Sequence, residues 1–382
     1  MGEKTKIKTA PSRNYSLDLL RIISMFMVVC LHILGHGHVF ENTEDTVWWY
    51  PLEFIWAVCV VAVNLYVLLS SYFLINQKFR PSKLIHLYLE VVFWSLSGWI
   101  FAIAAGMDGY STKTLIFDIL LPVSSKKYWF ISAYFVLYIL MPVLNFFIKK
   151  LTKRQHLAVC FGLLFVFSIL VEFFPRNNVF DMDNGYSFHW LIVLYFIGSY
   201  LRLHADPKKW KLPGVWYLVA VLVSLGVTLL ISLSPIAVKE MIYGNFANYN
   251  SINVVIESVL LFIAFLKFDL KGKIPQKIIG FIAPLTFGVY LIHENGYFRG
   301  FLWQNIVRTQ DFPYDSILLI PITLGMVILV FLSCVSLDFL RSLVFSLWEK
   351  RKFWRNGLEK FDKFVVGTLY KVTDRILEGK KE

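Results

Sequence analysis

Arg21 and His32 stand eleven residues apart in one apolar run, RNYSLDLLRIISMFMVVCLHILGHGH, residues 13–38. At about 100° per residue they fall within roughly 20° of the same helix face, and at about 1.5 Å per residue they lie roughly 16 Å apart along it. A charge in so apolar a run costs several kcal/mol unless it faces a polar interior, so such residues mark function. An imidazole with an ordinary pKa near ~6.5 suits a general base acting on a substrate hydroxyl. Arg21 then either holds an anionic donor group or pairs with Asp18, three residues earlier on the same face.

Further candidates lie at other points of the chain. His293 and Glu294 close an apolar run, LTFGVYLIHE, as a second acid/base element, a substrate anchor or simply an interfacial cap. His189, beside Trp190, and the aromatic trio Tyr128, Trp129 and Phe130 suit either a membrane-interface belt or stacking against a sugar ring. Arg80 and Lys83, in FRPSK, can meet phosphates of a donor or simply follow the loop-charge rule. His86 and Glu90 are four residues apart and share a helix face. Glu53 and Glu257 sit near span ends, lining an acceptor groove or snorkelling to the interface.

The elements that must position these groups are membrane helices. The 382 residues are 57% hydrophobic and only 17% charged, with a mean hydropathy of +0.60. The apolar runs are continuous, which favours helices over the short alternating strands of a barrel. The expected fold is an all-α polytopic membrane protein of about ten transmembrane helices, at about 15–35, 51–75, 84–105, 128–148, 156–174, 188–203, 214–233, 252–268, 276–293 and 315–340. Residues 1–340 form the membrane-embedded domain and 341–382 a basic amphipathic tail suited to an anionic lipid surface. No small-residue cleavage site follows the first run, which is expected to persist as a span. Six connections and tails hold 30 Lys and Arg, whereas the five that alternate with them hold 7. This asymmetry puts both termini on the cytoplasmic side. It also accounts for the net charge of +12 as topology, with no nucleic-acid partner implied. Cys30, Cys59, Cys160 and Cys334 all lie in apolar runs without metal-ligand spacing, and no metal is expected.

The opening run resembles the first helix of the acyltransferase 3 family, integral-membrane O-acyltransferases of bacterial glycans, whose Arg-x10-His signature is matched by Arg21 and His32. Three further segments resemble that family in order. NLYVLLSSYFL matches its second span, with Ser71 in place of a usual glycine. YWFISAYFVLYILMPVL matches its fourth, through Trp129, Phe130 and Pro142. LTFGVYLIHE matches a late Gly-x-Tyr-x-x-His segment, through Gly288, Tyr290 and His293. The resemblance covers residues 13–340. It implies transfer of an acyl group, typically acetyl from cytoplasmic acetyl-CoA, to a hydroxyl of a cell-envelope or exported glycan at the plasma membrane. It further implies Arg80 and Lys83 as the donor-binding basic pair, Lys83 replacing an arginine, and glycan-assembly proteins as separate partners. The competing expectations are a lipid-linked glycan transporter and a non-catalytic membrane scaffold.

Overall fold

A computed structural model describes residues 13–44, 46–107, 128–173, 182–233 and 247–378, with side chains of the last helix described through Thr368. Lys4, Lys6 and Lys8, and much of the connections at 106–127, 175–187 and 234–251, lie outside the described residues. Among the described residues the regular structure is helical throughout. The helices that matter for the site are α1 (Tyr15–Gly35), α2 (Trp49–Cys59), α3 (Ala62–Leu74), α4 (Pro81–Ala104) and α5 (Trp129–Ile148). They continue with α6 (Lys153–Leu164), α7 (Phe188–Leu203), α8 (Pro213–Ser232), α9 (Ile252–Lys267) and α10 (Lys273–Ile282). The last three are α11 (Thr286–His293), α12 (Leu319–Glu349) and α13 (Lys352–Glu378).

Local sequence sets where these helices start and break. The Asn14 side chain accepts from Leu17 N at 3.1 Å and caps α1, and Thr152 and Gln155 form a reciprocal capping box on α6. Pro81 and Pro213 open α4 and α8, where a missing N–H removes no helical bond. Pro284 lies in the short helical turn that joins α10 to α11, so the ninth span is two α-helical pieces linked through a tighter turn. The second span likewise breaks, between Cys59 and Ala62.

Among the described residues, eight helices or helix pairs are long and apolar enough to cross a membrane, in accord with an all-α polytopic membrane protein. The sixth and eighth expected spans, α7 and α9, have 16 residues each, about 24 Å against a hydrocarbon core of about 30 Å. α12 runs on to Glu349, so a domain boundary at residue 340 falls inside a helix, and the amphipathic tail helix begins at Lys352.

α1 is the central post. It packs against α2, α3, α9, α10, α11 and α12. Thirteen of its 21 residues are buried, against six of 20 in α8, which shows Leu222, Val223 and Leu230 to the lipid side. A helix apolar on every face belongs in such an interior position. α3 and α7 pack at unusually close range, as small residues permit in membrane bundles. A Cβ at Gly198 would lie 1.9 Å from Ser71 Oγ. The glycine missing from the second span at Ser71 is thus supplied from the opposite helix.

Candidate active site

Two helix ends meet at the site. α1 delivers His32 one turn from its C-terminus, and α11, 261 residues later, delivers His293 and then Glu294. His32 Nδ1 lies 2.9 Å from His293 Nε2 and 3.2 Å from Glu294 Oε2. His293 is wholly buried, and its Nδ1 lies 2.5 Å from the Val289 carbonyl.

These contacts fix the protons. The Val289 carbonyl only accepts, so His293 Nδ1 carries a hydrogen and His293 Nε2 offers a lone pair. His32 Nδ1 must then donate to it, which leaves His32 Nε2 as the basic nitrogen. Glu294 faces the same Nδ1–H and would steady the positive charge that develops when Nε2 takes a proton.

Glu294 is itself held from the far side. Arg299 Nη1 donates to Glu294 Oε1 at 2.5 Å, and His36 Nε2 stands 3.5 Å from Oε2 and 3.4 Å from Arg299 Nη1. His32, His36 and Glu294 bring three ligand-capable atoms within 4.8 Å of one another. Of the atoms there, His32 Nδ1 is engaged by His293 and Glu294 Oε1 by the Arg299 guanidinium, whose charge opposes a cation. His36 lies beyond the end of α1. Burial holds its pKa below the usual imidazole range; Glu294 pulls it up, and Arg299 and His38 push it down.

A cavity of about 290 Å³ opens beside His32, at the lower end of the usual range for small-molecule pockets. Its wall is largely aromatic. Trp129 packs on Tyr186 with ring centres 4.5 Å apart and lies nearly parallel to Tyr249 at 6.1 Å. Asn64 anchors this wall, donating to the Tyr249 carbonyl at 2.8 Å while accepting from Trp190 Nε1 at 3.0 Å. Tyr128, fully buried, donates to the Leu291 carbonyl at 3.0 Å and ties α5 to α11.

The structure sorts the sequence candidates. His32, His293, Glu294 and Trp129 converge. Glu294, expected to contact substrate, lines the cavity and is turned toward His32, His36 and Arg299, since a buried carboxylate takes the nearest cation. Arg21 pairs with Asp18 at 3.4 Å, and Asp18 also binds Arg13 at 2.5 Å; neither Arg21 nor Asp18 lines the cavity. His189 is exposed, its ring against Phe188, and it too is absent from the wall. Arg80 caps α4 and Lys83 donates to Gln77 Oε1 at 2.5 Å, both away from the cavity. His86 and Glu90 do not pair with each other: His86 meets Glu349 at 3.1 Å and Glu90 meets Arg341 at 3.0 Å. Glu53 and Glu257 are buried, and Glu257 is bound by Ser224, so neither reaches an interface.

His36, Arg299, Tyr186 and Tyr249 were not singled out by sequence reasoning. His36 lies four residues after His32, on the same helix face. Arg299 is one of only seven Lys and Arg in the charge-poor connections, a cation against the prevailing bias. The two tyrosines carried no such signal.

A family model described as an acyltransferase domain matches residues 14–338. No curated protein and no solved structure matches the chain.

Proposed function

The chain belongs to the acyltransferase 3 family, and from that premise we propose that this multi-pass membrane acyltransferase moves an acyl group, acetyl foremost, from cytoplasmic acyl-CoA to a hydroxyl of a cell-envelope or exported glycan. The observation that carries the reading is the proton arrangement at His32: its Nδ1–H is committed to His293, with the Glu294 carboxylate 3.2 Å away, and its Nε2 is the free base of a residue that lines an aromatic cavity.

In this mechanism His32 Nε2 takes the proton of the acceptor hydroxyl as the oxygen attacks the thioester carbonyl. The new C–O bond forms, the C–S bond breaks, and His32 Nε2–H returns its proton to the departing thiolate. Ester and free thiol leave with His32 as it began. Glu294, oriented by Arg299, offsets the transient charge on the imidazolium. Trp129, Tyr186 and Tyr249 offer flat apolar faces to a sugar ring. Arg80 and Lys83 stand apart from the cavity and would take the phosphates of an extended donor; Lys83 offers a point charge where arginine would bind bidentately. The loop charges support a plasma-membrane protein with both termini in the cytoplasm, acting on glycan supplied by separate assembly proteins.

The reading is tested by comparing the cell-envelope glycan by mass spectrometry with and without the protein. Loss of an acetyl-sized increment on deletion is the expected result. An unchanged acylation pattern with altered glycan export would instead identify a transporter.

A further inference from the structure

α11 has to hold His293 and Glu294 to within a hydrogen bond of α1, and the contacts on its other side show how. Gly288, in the first turn of α11, and Asn295, just past its C-terminal end, are both pressed against neighbouring helices. A Cβ at Gly288 would lie 1.9 Å from Asp338 Cγ on α12. The Asn295 amide in turn fills a notch on α4, where a Cβ at Gly98 would lie 2.3 Å from Asn295 Oδ1.

One residue of α4 joins both contacts. Trp94 Nε1 donates to Asp338 Oδ1 at 3.0 Å, and the Trp94 carbonyl accepts from Asn295 Nδ2 at 2.8 Å. Asp338 is fully buried and gripped at both oxygens by Arg341, at 2.6 and 3.0 Å; Arg341 also meets Glu90 of α4 at 3.0 Å. Asn295, only 3% exposed, uses its remaining oxygen to accept from Tyr297 N at 3.0 Å. Trp94, Asp338 and Asn295 are thus all paired, which makes the network rigid.

We propose that Trp94, Asp338 and Asn295 are positioning residues that set the rotation and slide of α11, and hence the His32–His293 hydrogen bond. The consequence for transfer rests on the acyltransferase reading above. α11 is notched at Gly288 by Asp338, and the residue just past its end, Asn295, is seated in the Gly98 notch of α4, so neither end of the helix can turn or slide without a clash. An error of about 1 Å at a reacting group costs on the order of 100-fold in rate. None of the three residues lines the cavity, so substrate affinity is untouched.

The test uses the full chain in nanodiscs with Trp94→Phe, which keeps an aromatic ring of smaller size and loses the N–H, and with Gly98→Ala, Asn295→Ala and the Gly98→Ala/Asn295→Ala pair. Each single variant should lower kcat by roughly 10- to 100-fold with both KM values unchanged. The double variant should be no worse than Asn295→Ala alone, because the three atoms nearest the added methyl all belong to the Asn295 amide. Additive losses, or a change in KM with kcat intact, would overturn the proposal, and the double variant keeps the test decisive if a single variant folds poorly. A readout independent of activity is the ¹⁵N-histidine spectrum, in which wild type should show both His32 and His293 protonated at Nδ1. If Trp94→Phe disturbs that pattern in a protein without transferase activity, the clamp stands and the acyltransferase reading falls. If wild type transfers acyl groups and Trp94→Phe leaves kcat and spectrum unchanged, the clamp falls alone.

Discussion

Two neutral imidazoles 2.9 Å apart share one proton between them, and the third partner decides which nitrogen is left basic. Here the Val289 carbonyl makes that decision, and Glu294 supplies the charge that favours proton uptake at His32. Glu294→Gln keeps the shape and loses the charge. Its kcat should fall by about 10²–10⁴-fold, the range of general acid–base catalysis, with donor KM little changed; steady-state kinetics in detergent would check it, and an unaltered kcat would remove Glu294 from the mechanism. His36 gives a pH effect of known sign. Its folded pKa lies below the ordinary value near ~6.5, so between the two the unfolded chain binds more protons. The stability it contributes is complete above about pH 6.5 and is lost as pH falls through the folded value. The unfolding midpoint should therefore drop on acidification from pH 7.5 to 5.5, and His36→Gln should flatten that drop. Equal slopes for the two proteins would contradict it. At this scale the sequence was half legible: Arg-x10-His marks His32, yet its juxtaposition with His293 spans 261 residues and only packing reveals it.

Helices around the site share one buried apolar cluster and come to close backbone approach at Gly98, Gly198 and Gly288, as small residues permit where lipid is as apolar as leucine. The α3–α7 contact is the clearest case. Gly198→Ala would set a methyl 1.9 Å from Ser71 Oγ and 3.0 Å from the Leu68 carbonyl, and overpacking of this kind costs about 1–3 kcal/mol. Thermal unfolding should show the loss, and Ser71→Gly in the same chain should recover part of it; a wild-type midpoint for Gly198→Ala would show that the helices separate freely. Helix positions were readable from hydropathy to within a few residues, since a long apolar run in a membrane has few alternatives, except that α12 continues to Glu349, well past the expected end at 340. The breaks were not. Pro284 announces one, but the break after Cys59 has no proline or glycine beside it, and it is packing of α2 and α3 on α1 that accompanies it. His86 and Glu90 show the same limit: spacing put them on one face, and the partners they took, Glu349 and Arg341, came from α12, far along the chain.

For the whole molecule, a central post, α1, carries a base near one end and an Asp18–Arg21 pair near the other, inside a bundle whose outer helices show leucine and valine to lipid. The proposed direction of this bundle rests on the bias of 30 against 7 basic residues. Cysteine labelling can read it, because all four native cysteines are buried. In intact cells, Lys150→Cys should resist an impermeant maleimide and Gln310→Cys should react; the reverse pattern would invert the topology. The class of fold was legible from composition, while the cavity was not, since its wall joins Trp129, Tyr186 and Tyr249 from three distant stretches. The central claim is that His32 Nε2 is the base for acyl transfer within that wall. Its most direct test follows acyl transfer from labelled acyl-CoA to glycan by the purified protein in proteoliposomes, wild type against His32→Ala. Transfer should fall by roughly 10²–10⁴-fold while His32→Ala inserts and unfolds like wild type. Undiminished transfer by a well-folded His32→Ala protein would contradict the account.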